Sequence, residues 1–153
     1  MAAAGAIFEL IDEPTENDHG TRAIERAKGD IVVRDLSFRY PLTEHAVLRD
    51  INFEIKPGQT VAFVGRSGSG KSTLLSLLPR FYDYSDGSIQ LDGHELMEYR
   101  LADLRQQISL VDQNVVLFND TVAGNIAYGA LGGADRETIM DAARRAYADE
   151  FIQ

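Results

Sequence analysis

The chain of 153 residues predicts an α/β fold, with an antiparallel β region ahead of its central loop. Three observations carry that prediction. Thr60-Val61-Ala62-Phe63-Val64 is a short apolar run of the kind that forms a strand buried on both faces. It leads directly into Gly65-Arg66-Ser67-Gly68-Ser69-Gly70-Lys71-Ser72-Thr73, and this loop is followed by Leu74, Leu75, Leu77 and Leu78 at helical spacing. Upstream, Ile51, Phe53 and Ile55 alternate as the residues of a half-buried strand do.

Residues 65–73 fit the pattern G-x-x-x-x-G-K-[ST], with Gly65, Gly70, Lys71 and Ser72 in its fixed positions. Small residues at 67–70 let successive N–H groups converge on one point, an anion nest that a bulkier loop could not close around a polyphosphate. Lys71 adds a point charge for the β- and γ-phosphates, and the Ser72 hydroxyl suits a Mg²⁺ ligand. The fixed positions alone should recur by chance in on the order of 0.5% of chains of this length. With a strand before the loop and a helix after it, the pattern reads as a phosphate site and not as an incidental glycine turn.

Taken in order, residues 1–28 open with Ala2-Ala3-Ala4-Gly5-Ala6-Ile7-Phe8-Glu9-Leu10-Ile11, which reads as the end of a helix that lacks a capped start. Pro14 to Gly20 is polar and turn-rich, and reads as a linker. From Ile31 to Tyr40 the even positions Val32, Leu36, Phe38 and Tyr40 favour one buried face, interrupted by Arg34. A turn at Pro57-Gly58 precedes the strand 60–64. The helix 71–82 contains Pro79, which should weaken or kink its last turn. Asp86-Gly87 and Asp92-Gly93 bracket a strand over Ser88 to Leu91, and residues 101–106 form a short helix. Ile108 to Val111 reads as a second buried strand. Asp120 or Thr121 caps a helix running to about Tyr128, with Gly129 as its stop, and Asp135 caps the last helix, whose stripe is Ile139, Ala143, Ala146, Tyr147 and Phe151.

Composition narrows the function. There are 24 acidic and 15 basic residues, a net charge of −9, which argues against nucleic acid or an anionic membrane surface as the main partner. A bound nucleotide must then be held by a local amide-rich and basic site. The absence of cysteine excludes disulfides and thiolate metal sites. His19, His45 and His94 have no second ligand at metal spacing and read as surface residues, and Asp112 is assigned no role.

Two further residues carry possible chemistry. Tyr40, at the end of the first strand, suits either packing or stacking against a nucleobase. Gln113 follows the predicted strand 108–111, where a side-chain oxygen faces the metal and the attacking water, or is simply solvated.

In combination these stretches resemble the nucleotide-binding domain of ATP-binding-cassette (ABC) transporters. The resemblance rests on Tyr40, on Gly65 to Thr73, on Arg80-Phe81-Tyr82-Asp83 with Gly87, and on Gln113, and it spans about residues 28–153. It implies an ABC-type P-loop ATPase core, in its N-terminal portion, with ATP and Mg²⁺ as ligands. Tyr40 would stack on the base, residues 65–73 would bind the phosphates, Ser72 and Gln113 would serve the metal, and Lys71 and Gln113 would act in catalysis.

Asp92-Gly93-His94-Glu95-Leu96 with Leu104-Arg105, and the run NVVLFNDTVAGNIAY over 114–128, resemble exporters whose membrane and nucleotide domains are fused, most of all those moving lipid A precursors across the bacterial inner membrane. Residues 1–28 would then be the end of a transmembrane helix and its linker, and 29–153 the N-terminal part of the nucleotide-binding domain at the cytoplasmic face. The implied partners are the membrane domain of the same transporter, a second nucleotide-binding domain in a homodimer, and a lipid reached through the membrane domain. Two departures stand out: Asp112 replaces the Ser or Pro that commonly precedes the glutamine, and no LSGGQ-type motif or Walker B strand occurs in these 153 residues. Hence this chain alone is expected not to hydrolyse ATP. A drug or peptide exporter and a non-hydrolysing nucleotide-binding module are the alternatives.

Overall fold

The computed structural model describes residues 12, 15–41, 43–112 and 116–152. Within them the chain divides into two compact units, one up to Ser109 and one from Leu110 onward. The opening helix segment 2–11 and Gln113 lie outside the described residues.

The first unit is built on a four-stranded sheet in the order β2-β1-β3-β4, from β1 (Ile31–Phe38), β2 (Leu48–Ile55), β3 (Asp86–Leu91) and β4 (His94–Glu95). Every pairing is antiparallel, which bears out the antiparallel β region. β1 sits in the middle, with Val33 opposite Phe53 on one side and Ile89 on the other. Its buried face differs from the simple even-numbered alternation. Val33, Leu36 and Phe38 are buried and Val32 is only half-buried. The reason is an irregularity after Val33: both pairings shift register across this stretch, and Asp35 has φ 49°, so the buried positions change from odd to even. Gly87 fits against it because a Cβ there would stand 2.5 Å from the Leu36 Cα.

Helix α1 (Lys71–Leu77) lays Leu74 and Leu77 on this sheet. It is shorter than the expected 71–82. Pro79 has no amide to donate back along the helix, and Arg80 takes a left-handed φ of 54° that turns the chain away. A one-turn 3₁₀ segment (Leu96–Glu98) and helix α2 (Leu101–Gln106) complete the core, in which Leu36, Leu77, Ile89, Leu104 and Val33 are the largest fully buried side chains.

Two expected strands do not form. Thr60–Val64 is irregular; Val61 is 44% and Val64 91% exposed, and Phe63 alone is anchored, edge-on to Phe53 at 5.3 Å. Residues 108–111 are likewise without strand structure, with Val111 95% exposed. A β-strand exists only where neighbours take its N–H and C=O groups, and among the described residues neither segment has such a neighbour.

Residues 16–30 follow no regular element, yet their groups are individually tied. The Arg105 guanidinium grips the Glu16 carboxylate through two bonds of 2.7 Å, Arg80 Nη2 donates to the Asn17 carbonyl, and the Leu101 amide donates to Asp18. The amides of Lys28, Gly29 and Asp30 all donate to the carboxylate of Asp92.

In the second unit, α3 (Val122–Ile126) is capped by Thr121, whose hydroxyl accepts from the Gly124 amide, so of the two cap candidates it is Thr121 that serves. The helix stops two residues short of Tyr128, and Gly129 opens a 3₁₀ turn (Gly129–Leu131). α4 (Arg136–Arg145) is capped by Asp135, which accepts from the Thr138 amide. Its stripe is narrower than expected: Ala143 is buried and Ile139 half-buried, while Tyr147 and Phe151 are exposed because the helix ends at Arg145 and Tyr147 turns left-handed.

Candidate nucleotide site

The loop 65–73 begins where the irregular segment 60–64 ends and runs into α1. Its path is set by glycines at two points. Gly68 and Gly70 both lie at positive φ, 77° and 89°, where a Cβ is unfavourable. Gly70 is also walled in, since a Cβ there would come within 2.7 Å of Leu48 Cδ2 and 3.2 Å of the Val47 carbonyl. The loop is therefore pressed against the start of β2. The amides of Lys71, Ser72 and Thr73 head the helix, where no carbonyl one turn earlier can take them, while the Leu74 amide already donates to the Gly70 carbonyl.

Lys71 supplies the charge. Its Nζ donates to the Gly65 carbonyl at 3.0 Å, the Arg66 carbonyl at 2.9 Å and Ser69 Oγ at 3.3 Å, so the ammonium is curled back inside the loop formed by residues 65–70. A cation held only by neutral carbonyls and a hydroxyl, next to free helix-heading amides, fits a polyphosphate: the oxygens of an anion are stronger acceptors than those the ammonium now uses. Ser67, Ser69 and Ser72 are exposed along this loop, as are Gly65, Arg66 and Gly68, so phosphate access is open.

Thr73 faces inward and is buried. Its Oγ1 lies 3.0 Å from the Tyr40 hydroxyl, which brings the strand-end tyrosine to the same helix that carries Lys71. Tyr40 is half-buried, edge-on to Phe38 at 5.0 Å and to Tyr82 at 4.9 Å. The structure thus gathers Tyr40, Gly65 to Lys71, Ser72 and Thr73 around the start of α1. Two contributors were not visible as such from the sequence: Leu48 with Val47, the wall behind Gly70, and Tyr82, which enters only through the Arg80-Phe81-Tyr82-Asp83 run and carries no local sign of facing Tyr40. Among the described residues no group of three or more His, Asp or Glu side chains is arranged to hold a metal ion. Of the histidines, His94 approaches Glu98 at 3.6 Å and lies edge-on to Tyr99.

Comparison with known proteins identifies the family. The family model described as ABC transporter matches residues 48–152. The chain is 58% identical over its whole length to the ATP-dependent lipid A-core flippase of Alkalilimnicola ehrlichii, covering 26% of that protein. It is 59% identical over 99% of its length to the flippase of the same name from Pseudomonas aeruginosa and 55% identical to that of Escherichia coli (strain K12), covering 25% and 26% of them. The chain therefore spans about a quarter of the length of these curated relatives. Among solved structures it superposes on a bacterial Atm1-family ABC exporter with ATP bound, with a TM-score of 0.83 and 36% identity over 97% of this chain and 26% of the other. The matched model covers well over half of the residues, and the chain belongs to the ABC transporter family.

Proposed function

We propose that this chain is the nucleotide-gripping part of an exporter that couples ATP hydrolysis to moving lipid A-core across the bacterial inner membrane. The observation that supports it most is the loop 65–73, with Lys71 poised inside it, in a chain 55–59% identical to proteins named ATP-dependent lipid A-core flippases. In this reading the amides of residues 67–73 wrap the phosphates. Lys71 exchanges the Gly65 and Arg66 carbonyls for β- and γ-phosphate oxygens, and the Tyr40 ring carries the base. Ser72 and Gln113 would hold Mg²⁺, which when bound neutralises charge on the β- and γ-phosphates.

Phosphoryl transfer asks mainly for positioning and electrostatic stabilisation. The proposal gives this chain the grip on the phosphates and the orientation of water by Gln113. The carboxylate of a Walker B strand and the signature loop of a second, head-to-tail copy complete the reaction. Residues 1–28 would connect to the membrane domain at its cytoplasmic face, and the bonds of Glu16, Asn17 and Asp18 to Arg105, Arg80 and Leu101 would give that connection a hold on α2 and on the turn that follows α1. Among the described residues no helix is long and apolar enough to cross a membrane.

The exposed side chains of Val116, Leu117 and Phe118 suit a surface that meets the membrane domain. The intact transporter, reconstituted in vesicles, tests the whole reading. Lipid A-core should stimulate ATP hydrolysis where drugs and peptides do not, and Phe118→Ala should reduce stimulated hydrolysis more than basal hydrolysis. Stimulation by drugs or peptides alone would transfer the assignment to those substrates.

A further inference from the structure

We propose that Tyr82 is a positioning residue for the nucleobase, acting through Tyr40; the inference rests on the reading of Tyr40 as the base platform. Tyr40 lies just past β1, in backbone with no regular structure to orient it. Its ring must nevertheless keep a fixed tilt if a base is to stack on it, because stacking is lost when the two planes diverge. Three contacts supply that tilt. Phe38 meets the ring at an interplanar angle of 82°, Tyr82 meets it at 86°, and the hydroxyl is bonded to Thr73 Oγ1. Perpendicular aromatic pairs set the positive edge of one ring against the negative face of the other, so rotating Tyr40 away from two such partners forfeits both contacts.

Phe38 and Thr73 are buried and have evident duties in the core and in α1. Tyr82 does not: it is 42% exposed and lies outside the core cluster. Its rings in contact are Tyr40 and, at 5.9 Å and 54°, Phe38. The chain takes trouble to put it there. Arg80 adopts its left-handed backbone two residues before it, and the turn is held by the Arg80 amide on the Leu77 carbonyl, the Phe81 amide on the Ser76 carbonyl, and the buried Arg80 guanidinium on Asp83. The base platform and the phosphate loop are thereby mounted on one helix: α1 starts at Lys71, bonds Tyr40 through Thr73, and at its far end launches the turn that lays Tyr82 on the same ring.

Calorimetry on the intact protein, with ATP and with inorganic tripolyphosphate as probes, tests this. Tyr82→Leu should weaken ATP binding about three- to tenfold, the range expected for one lost aromatic pair, and leave tripolyphosphate binding unchanged. Tyr82→Phe should restore wild-type affinity for ATP. In a Tyr40→Leu background, Tyr82→Leu should cost nothing further. Equal losses for ATP and tripolyphosphate, or a full second loss in the Tyr40→Leu background, would overturn the positioning role. A normal loss from Tyr40→Leu with none from Tyr82→Leu also overturns it and spares the platform, whereas no loss from Tyr40→Leu removes the platform itself and the inference with it.

Discussion

β1 and the segment Thr60–Val64 are written in nearly the same alphabet, and only one of them is a strand. Both are rich in branched apolar residues, and both precede a polar turn. β1 finds β2 on one edge and β3 on the other, and its Val33 is 2% exposed; Val64 has no strand beside it and is 91% exposed. The difference shows that β-propensity is a capacity to fill a half-buried pleated surface, realised only when partners supply hydrogen bonds and a second layer. β1 meets those partners within residues 48–91, whereas the described residues offer none to Thr60–Val64.

The comparison is most easily broken by cutting into each region. Leu77→Ala, at a fully buried position where α1 meets the sheet, should cost about 2–5 kcal/mol in denaturant unfolding. Val64→Ala should stay within about 0.5 kcal/mol of wild type, as substitutions at exposed positions do. Equal costs would show that 60–64 is packed in solution. Between these extremes, Lys71→Ala should weaken ATP binding by about 1.5–3 kcal/mol through the loss of charge-assisted bonds. It should leave the melt of the nucleotide-free protein within a degree or two. Unchanged ATP affinity by calorimetry would remove the loop from the site.

A smaller effect is expected at Glu16. The hydrogen bond from Arg105, reinforced by its charge, holds the Glu16 carboxyl below its ordinary value of 4.5. A carboxylate with a lowered folded-state pKa stabilises above its unfolded-state value and loses that contribution as pH falls through the folded-state value. Stability from this pair should thus be complete at neutral pH and fade below about pH 4.5. Glu16→Gln should remove that part of the acid sensitivity, at a neutral-pH cost no greater than about 1 kcal/mol for so exposed an ion pair. An unaltered acid limb of the pH profile would mean that the pair seen here is not maintained in solution.

What could be read from the sequence follows the range of the interactions involved. The phosphate loop was legible because its chemistry is local: glycines for positive φ, a lysine, a hydroxyl, all within nine consecutive residues. Caps were legible for the same reason, and Thr121 and Asp135 each take an amide three residues on. The alternation of Ile51, Phe53 and Ile55 held because it lies beyond the irregularity at Asp50, whose left-handed φ of 50° separates it from the buried Leu48. By contrast, the odd-to-even switch in β1 depends on Asp35 taking a left-handed conformation opposite Gly87, which no periodicity announces. Pro14 to Gly20 reads as a linker, and the bonds that tie residues 16–30 to Arg80, Asp92, Leu101 and Arg105 escape notice, because they are all long in sequence. Tyr82 meets Tyr40 in a contact equally long in sequence, after a left-handed turn at Arg80 that no sequence pattern announces.

The carboxylate of Asp92, enclosed by the amides of Lys28, Gly29 and Asp30, puts a side chain where a phosphate would sit in the other nest of the molecule. One arrangement is kept occupied by the chain's own anion, while the other holds only its own cation. Amide hydrogen exchange would sense that contrast directly. Those three protons belong to no helix or strand, but should exchange more slowly than other loop amides, since each reaches water only when the Asp92 carboxylate lets it go. Tension on the residues before β1 would meet the bonds of Glu16, Asn17 and Asp18 first, and Asp92 would be the last of these anchors to take it before it reached the sheet.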